Sequence, residues 1–291
     1  MRIRTDPSKP LFEFIMTDVA SIGEHAGALQ AILHKRLDGI IVRNVLSPQA
    51  LSAAIERLDA NTERRKFPMF KALDDAPYTV GEPIVGTDHD LVAYFRDAIA
   101  QRDRLAALFA GHPAYEARIA EVFGALAGGL PAGVAHAPDG RAFTPSTVRV
   151  LTEGHEIGVH VGNEFARQPQ ARHLQGLIDM TDQISFFIPL SVPDAGGELV
   201  VYGVEHREMS LFMPKTTSAE SSNVWLEGTR VFAAFAGMDS TAFAPGPGDM
   251  LIFDGGRYFH RVSKVVGRTP RRTVGGFVGF SQRHDRLYYW S

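Results

Sequence analysis

The sequence contains no cysteine. Disulfides, thiolate catalysis, iron–sulfur clusters and cysteine-ligated zinc are excluded. An excess of charge of one sign is missing too: 30 Lys and Arg stand against 33 Asp and Glu, a net −3. There is no polybasic run and no acidic tail, so nothing recommends a nucleic-acid polymer or a membrane surface as partner. No apolar run approaches the ~20 residues of a membrane span. The first residues, MRIRTDPSKPLFEF, lack the apolar stretch of a secretory signal. A cysteine-free chain suits the cytoplasm, which is the expected location.

What is present is a large apolar fraction. Hydrophobic residues make up 45% of 291 positions, enough for one large domain over residues 1–291. The first part, 1–140, reads as a mostly helical support. Helical spacing runs over residues 20–37, and residues 39–45 (GIIVRNV) suit a buried strand. Ser47-Pro48 reads as an N-cap followed by proline at the first helical position, opening a helix to Asp59. Further helices are expected over 90–109 and 114–126, and 130–140 reads as a connector.

Residues 141–291 change character. Short β-type runs are expected at 147–152, 156–161, 183–190, 198–202, 225–235, 249–253, 259–265 and 272–280. A helix is expected at 171–180. Short strands punctuated by Gly, Pro and Asp predict a β-sandwich or jelly roll. The expected fold is mainly β with helices: a double-stranded β-helix, cupin-like core under an N-terminal helical layer.

Two segments carry the chemistry: EGHEIGVHVGNEF (153–165) and PGPGDMLIFDGGRYFHRVSKVVGRTPRRTVGGF (245–277). His160 ends one predicted strand and His260 opens another. A non-haem iron(II) oxygenase site takes two His and one carboxylate on one face and leaves positions open. The carboxylate ordinarily stands two residues after the first His, because i and i+2 share a strand face. Here that residue is Gly162, which coordinates nothing. If His160 is a ligand, the metal keeps one more open position, which chloride or bromide would fill. Glu164 is a displaced alternative, roughly 13 Å along an extended strand, and would need a sharp turn after Gly162. Asp254 reads as a turn residue before Gly255-Gly256. His155, His206 and His284 are weaker candidates. The competing reading of each His is a hydrogen-bonded core residue.

A keto-diacid cosubstrate needs a cation for its distal carboxylate, and Arg offers a bidentate fork. Arg271 and Arg272 open the strand after His260. Neighbours on a strand face opposite ways, so one points inward, and Arg271 is favoured. Arg149, inside TVRVL, is another inward candidate. Ser185 in QISFFIPL is either a small core residue or a hydrogen-bond donor that orients an iron-bound ligand.

PGDMLIFDGGRYFHRV, AGGELVVY and RRTVGGF resemble the Fe(II)/2-oxoglutarate dioxygenase superfamily. Within it, EGHEIGVHVGNEF, SFFIPLSVPDAGGELVVY and FSQRHDRLYYWS resemble the carrier-independent aliphatic halogenases of the welwitindolinone/hapalindole type. The likeness is strongest from Phe143 onward and looser over the helices. It implies His160 and His260 as ligands of Fe(II), Gly162 as the halide vacancy, and Ser185 steering halogen over hydroxyl transfer. It also implies 2-oxoglutarate, dioxygen and chloride or bromide as reactants, and a freestanding small molecule without a carrier protein. Expected pocket positions are Ile157, Phe165, Tyr78 and Val80. Residues 71–85 and 206–229 differ from the alkaloid enzymes, so an alkaloid, a nucleotide and another metabolite all stand as substrates. Residues 213–223 read as a solvated loop, with contact to a polar substrate as the alternative. The alternatives to a halogenase are a hydroxylase with water in the vacancy, and a jelly-roll binding module without chemistry.

Overall fold

The computed structural model describes all residues except 5, 7, 62–64, 67–76, 86–90 and 212–234. Fourteen strands are described: β1 Phe14–Asp18, β2 Gly39–Arg43, β3 Arg65–Lys66, β4 Tyr78–Val80, β5 Ala132–Val134, β6 Thr147–Leu151, β7 Ile157–His160, β8 Ile184–Ser191, β9 Leu199–Glu205, β10 Ser240–Phe243, β11 Met250–Phe253, β12 Tyr258–Val262, β13 Arg271–Phe280 and β14 Leu287–Trp290. The helices are α1 Ala28–Leu33, α2 Pro48–Ala60, α3 Val92–Leu108, α4 Tyr115–Leu126 and α5 Arg172–Gln175.

The strands form two sheets. The larger runs β1-β2-β11-β8-β13-β6-β4-β3, with β14 on the far half of one β13 edge and β5 beyond it. The smaller runs β10-β9-β12-β7. This is the expected double-stranded β-helix with helices. The helical layer packs on the outer face of the larger sheet. Ala50, Leu51, Ala54 and Leu58 of α2 recur at helical spacing and are buried. They meet Phe186, Ile188, Val274 and Ile252 of the sheet in one core. A second apolar cluster carries Leu199 and Val201 from the smaller sheet and Leu251 and Phe253 from the larger.

Strand alternation sorts the larger sheet into two chemistries. On β13, Val274 and Val278 join the helix-side core, so Arg271 and Thr273 face the other sheet. On β8, Phe186 and Ile188 face the helices, while Ser185 and Phe187 face inward.

Several expectations are adjusted. Residues 20–37 do not form one helix: a 3-10 turn, Val19–His25, precedes α1, and Gly27 between them has φ of 95°. That left-handed conformation interrupts a right-handed helix, and glycine permits it. The helix expected at 171–180 is confined to α5, because Ile178 turns away to pair with Ser281. Residues 1–140 also supply β1 to β5, so the sheet reaches far into the segment read as helical support. The helix at 48–59 starts as expected: Ser47 Oγ accepts from the Ala50 N–H at 3.2 Å, and Pro48 follows it. The strand expected at 225–235 lies outside the described residues except for Phe235, and the loop at 213–223 lies wholly outside them.

Candidate active site

β7 and β12 run antiparallel in the smaller sheet, and His160 and His260 are direct register partners. Their ring centroids lie 4.2 Å apart. Each ring is oriented by the strand that carries it. His160 Nδ1 bonds the Gly158 carbonyl at 2.8 Å, and His260 Nδ1 bonds the Tyr258 carbonyl at 2.9 Å. A carbonyl only accepts, so each Nδ1 carries the proton and each Nε2 keeps its lone pair. That is the tautomer a metal-binding imidazole needs. Burial, and after it the charge of Arg149, pushes His160 down to about 4. Burial and then the neighbouring His160 hold His260 well below the ordinary histidine range. Both rings are neutral at physiological pH.

Gly162 follows at i+2. Its N–H donates to the Gly255 carbonyl at 2.8 Å, holding the end of β7 against the Gly255-Gly256 turn. A Cβ placed on it would lie 3.0 Å from Gln183 Oε1 and 3.2 Å from the Gly255 oxygen. The chain then turns into a short 3-10 helix, Gly162–Arg167. The turn that a Glu164 ligand would need is therefore present, but Glu164 is engaged elsewhere: it pairs with His206 Nε2 and with Arg167 at 3.3 Å. The His206 bond, chiefly, holds its pKa below the usual carboxylate range. Asp254 caps its turn as expected, accepting from the Arg257 N–H at 3.2 Å. His155 bonds Thr152 Oγ1 at 2.9 Å, and His284 bonds Asp179 at 2.8 Å. Among the described residues, no Asp, Glu or third His joins His160 and His260 into a group of three.

The larger sheet faces this pair with two cations. Arg271 is buried; its Nε donates to the Gly197 carbonyl at 2.7 Å and it lies over the Phe187 ring. Thr273 Oγ1 stands 3.4 Å from its Nη1. Arg149 on β6 is the register partner of Thr273 and so shares that inner face. Its charge acts on His160, His260 and Arg271. Arg272 faces the other way, onto Asp59 of α2 at 2.7 Å and Ser191 Oγ at 3.3 Å. Of the neighbouring arginines, Arg271 is therefore the one turned inward.

Residues 11–291 match the carrier-protein-independent halogenase WelO5 family. The chain belongs to that family. Its fold is similar to that of an N-substituted L-amino acid dioxygenase from Burkholderia ambifaria AMMD, at 15% identity over 90% of each chain with a TM-score of 0.56. The same dioxygenase in complex with alpha-KG is similar at 15% identity, covering 91% of this chain and 90% of that one, with a TM-score of 0.54. No curated protein sequence matches the chain. Family and fold make it an Fe(II)/2-oxoglutarate-dependent oxidoreductase. Two neutral imidazoles protonated on Nδ1, a facing pair of guanidinium groups and, among the described residues, no third acidic or imidazole ligand fit that chemistry. No described helix is long and apolar enough to cross a membrane.

The remaining positions of this halogenase-family chain divide. Ser185 is inward on β8 beside Gly255, where an added Cβ would lie 2.3 Å from its Oγ. Ile157 is brought to the inner side by a register shift: His160 pairs His260, yet Ile157 pairs Val262. The extra β7 residue reverses the alternation, and Ile157 clusters with Leu151, Val262 and Val265. Phe165 packs in a cluster with Tyr94, Phe143 and Trp290. Tyr78 and Val80 are corrected. They pack in the helix-side core, and Thr79 between them pairs with Arg149 on the inner face. Gln183 was not singled out from the sequence. It lies two residues before Ser185, so strand alternation pointed to it.

Proposed function

We propose that this protein replaces a hydrogen on an unactivated sp3 carbon of a freestanding small molecule with chlorine or bromine, converting 2-oxoglutarate and dioxygen to succinate, CO2 and water. One observation carries the reading: Gly162 stands where a carboxylate ligand would, and no other described acidic residue joins the His pair. A halide can then share the metal with the two imidazoles.

His160 and His260 would hold Fe(II) through Nε2, and their Nδ1–H bonds to backbone carbonyls keep the rings aimed. Iron with 2-oxoglutarate and dioxygen supplies the oxidising power for breaking the C–H bond. Arg271 takes the distal carboxylate, its guanidinium already fixed by Gly197 and Thr273. Arg149 adds a second positive charge on the same face. Two cations on one buried face favour a dianion, and 2-oxoglutarate is one. Ser185, inward beside Gly255, orients the metal-bound group and favours halogen over hydroxyl transfer. Ile157 and Phe165 shape the apolar wall for the substrate carbon.

The test needs no substrate. Fe(II) and 2-oxoglutarate are added anaerobically, the visible charge-transfer band is recorded, and chloride is titrated. A saturable chloride-dependent shift supports halogenation. A band indifferent to chloride, with hydroxylated product by mass once a substrate is found, supports a hydroxylase with water in the vacancy. No band means that the His pair does not hold iron.

A further inference from the structure

Beyond the His pair, one side chain near Gly162 has polar atoms that satisfy nothing. Gln183 is 2% exposed, and both its Oε1 and its Nε2 lack a hydrogen-bond partner among the described residues. Burying an amide unpaired costs a few kcal/mol. Native proteins keep such groups when a ligand completes them. The backbone of Gln183, by contrast, is held from both sides. Its carbonyl accepts from the Gly256 N–H at 2.7 Å, and its N–H donates to Asn163 Oδ1 at 3.1 Å. Asn163 is fixed in turn by Asp182, 2.8 Å away. The backbone that carries the unsatisfied carboxamide is thus fixed.

Its location matters. Gln183 Oε1 lies 3.0 Å from where a Cβ on Gly162 would begin. The amide therefore stands beside the position from which a carboxylate ligand would reach the metal. Oxygen and nitrogen of a carboxamide exchange places by a half-turn at no steric cost, and a network decides between them. Here no partner among the described residues decides, so an anion can: it would select the orientation with N–H directed at it.

We propose that Gln183 is a halide-binding residue, whose carboxamide N–H donates to the chloride or bromide held at the Gly162 vacancy. The inference rests on the halogenase reading above. It explains why a polar, unpaired side chain occupies a buried place where a leucine would pack more stably, and it makes Gln183 a determinant of halide affinity separate from the metal.

The experiment uses Gln183→Leu and Gln183→Met, similar in size and without the amide. Three quantities are measured: the apo melting temperature, 2-oxoglutarate affinity from growth of the charge-transfer band without chloride, and chloride affinity from the shift of that band. The expected result is an apo melting temperature equal to or above the parent's, unchanged 2-oxoglutarate affinity, and chloride affinity weakened roughly tenfold to a hundredfold, as for one lost hydrogen bond to a charge. Chloride affinity within twofold of the parent in both variants overturns the inference and leaves the halogenase reading standing. A drop of several degrees in both apo variants also overturns it, because the amide would then have a structural partner. If the parent's own band ignores chloride, the halogenase reading fails first and this inference with it.

Discussion

Arg149 and Arg271 share the inner face of the larger sheet, and the charge of Arg149 adds to burial in pulling Arg271 down to about 10. Two like charges so placed are destabilising until an anion arrives. Arg271→Gln is expected to weaken 2-oxoglutarate binding about tenfold to a hundredfold, the effect of losing a charge-assisted hydrogen bond. Arg149→Gln should weaken it less. Arg272→Gln, on the helix side against Asp59, should leave it within twofold. Anaerobic titration of the charge-transfer band ranks the three. An Arg272 variant weaker than the Arg271 variant would reverse the assignment.

Gly162→Asp supplies the missing carboxylate, but at a crowded position. The new Cβ meets Gln183 Oε1 at 3.0 Å. Overpacking of this kind costs about 1–3 kcal/mol. The variant is expected to lose the chloride-dependent shift and all halogenated product, with hydroxylated product appearing. Gly162→Asp combined with Gln183→Ala should recover the lost stability without recovering halogenation. Mass spectrometry of the product decides. A Gly162→Asp enzyme that chlorinates at the parent's rate would rule out the vacancy.

Asp254 gives a pH dependence that is independent of iron. Burial first, and the charge of Asp182 second, push its carboxyl up to about 8. An unfolded Asp titrates near 3.9. Between those values the folded state holds a proton that the unfolded state has released. Stability is therefore greatest below about pH 4 on this account and declines as pH rises through about 8. Asparagine mimics the protonated acid. Asp254→Asn is expected to match the parent's melting temperature near pH 4 and to exceed it by several degrees at pH 8 to 9. Melting curves of the two apo proteins across that range check it; parallel curves would show that Asp254 is ionised when folded.

Local chemistry was legible in the sequence. Ser47-Pro48 announces α2 because a cap acts within one turn. The HVG triplet puts Gly162 two residues after His160, the place from which a strand would aim a carboxylate. Matters that depend on which face a strand presents were not. Alternation says that Arg271 or Arg272 points inward, and only packing against α2 says which. Tyr78 and Val80 suit a pocket by residue type, yet in a three-residue strand the same alternation places Thr79 inward instead. The pairing of His160 with His260 is set by antiparallel register between segments far apart in sequence. Gln183 went unnoticed because an unsatisfied amide is a property of its surroundings.

The two imidazoles belong to the smaller sheet and the two guanidinium groups to the larger. The distance between the His pair and the Arg pair is consequently the gap between layers, set by the packing of the two sheets against each other. Leu199 and Val201 on one layer and Leu251 and Phe253 on the other act as its spacers. A molecule that spans the gap from His to Arg works as a caliper. Trimming one spacer is expected to register first as a misfit of 2-oxoglutarate.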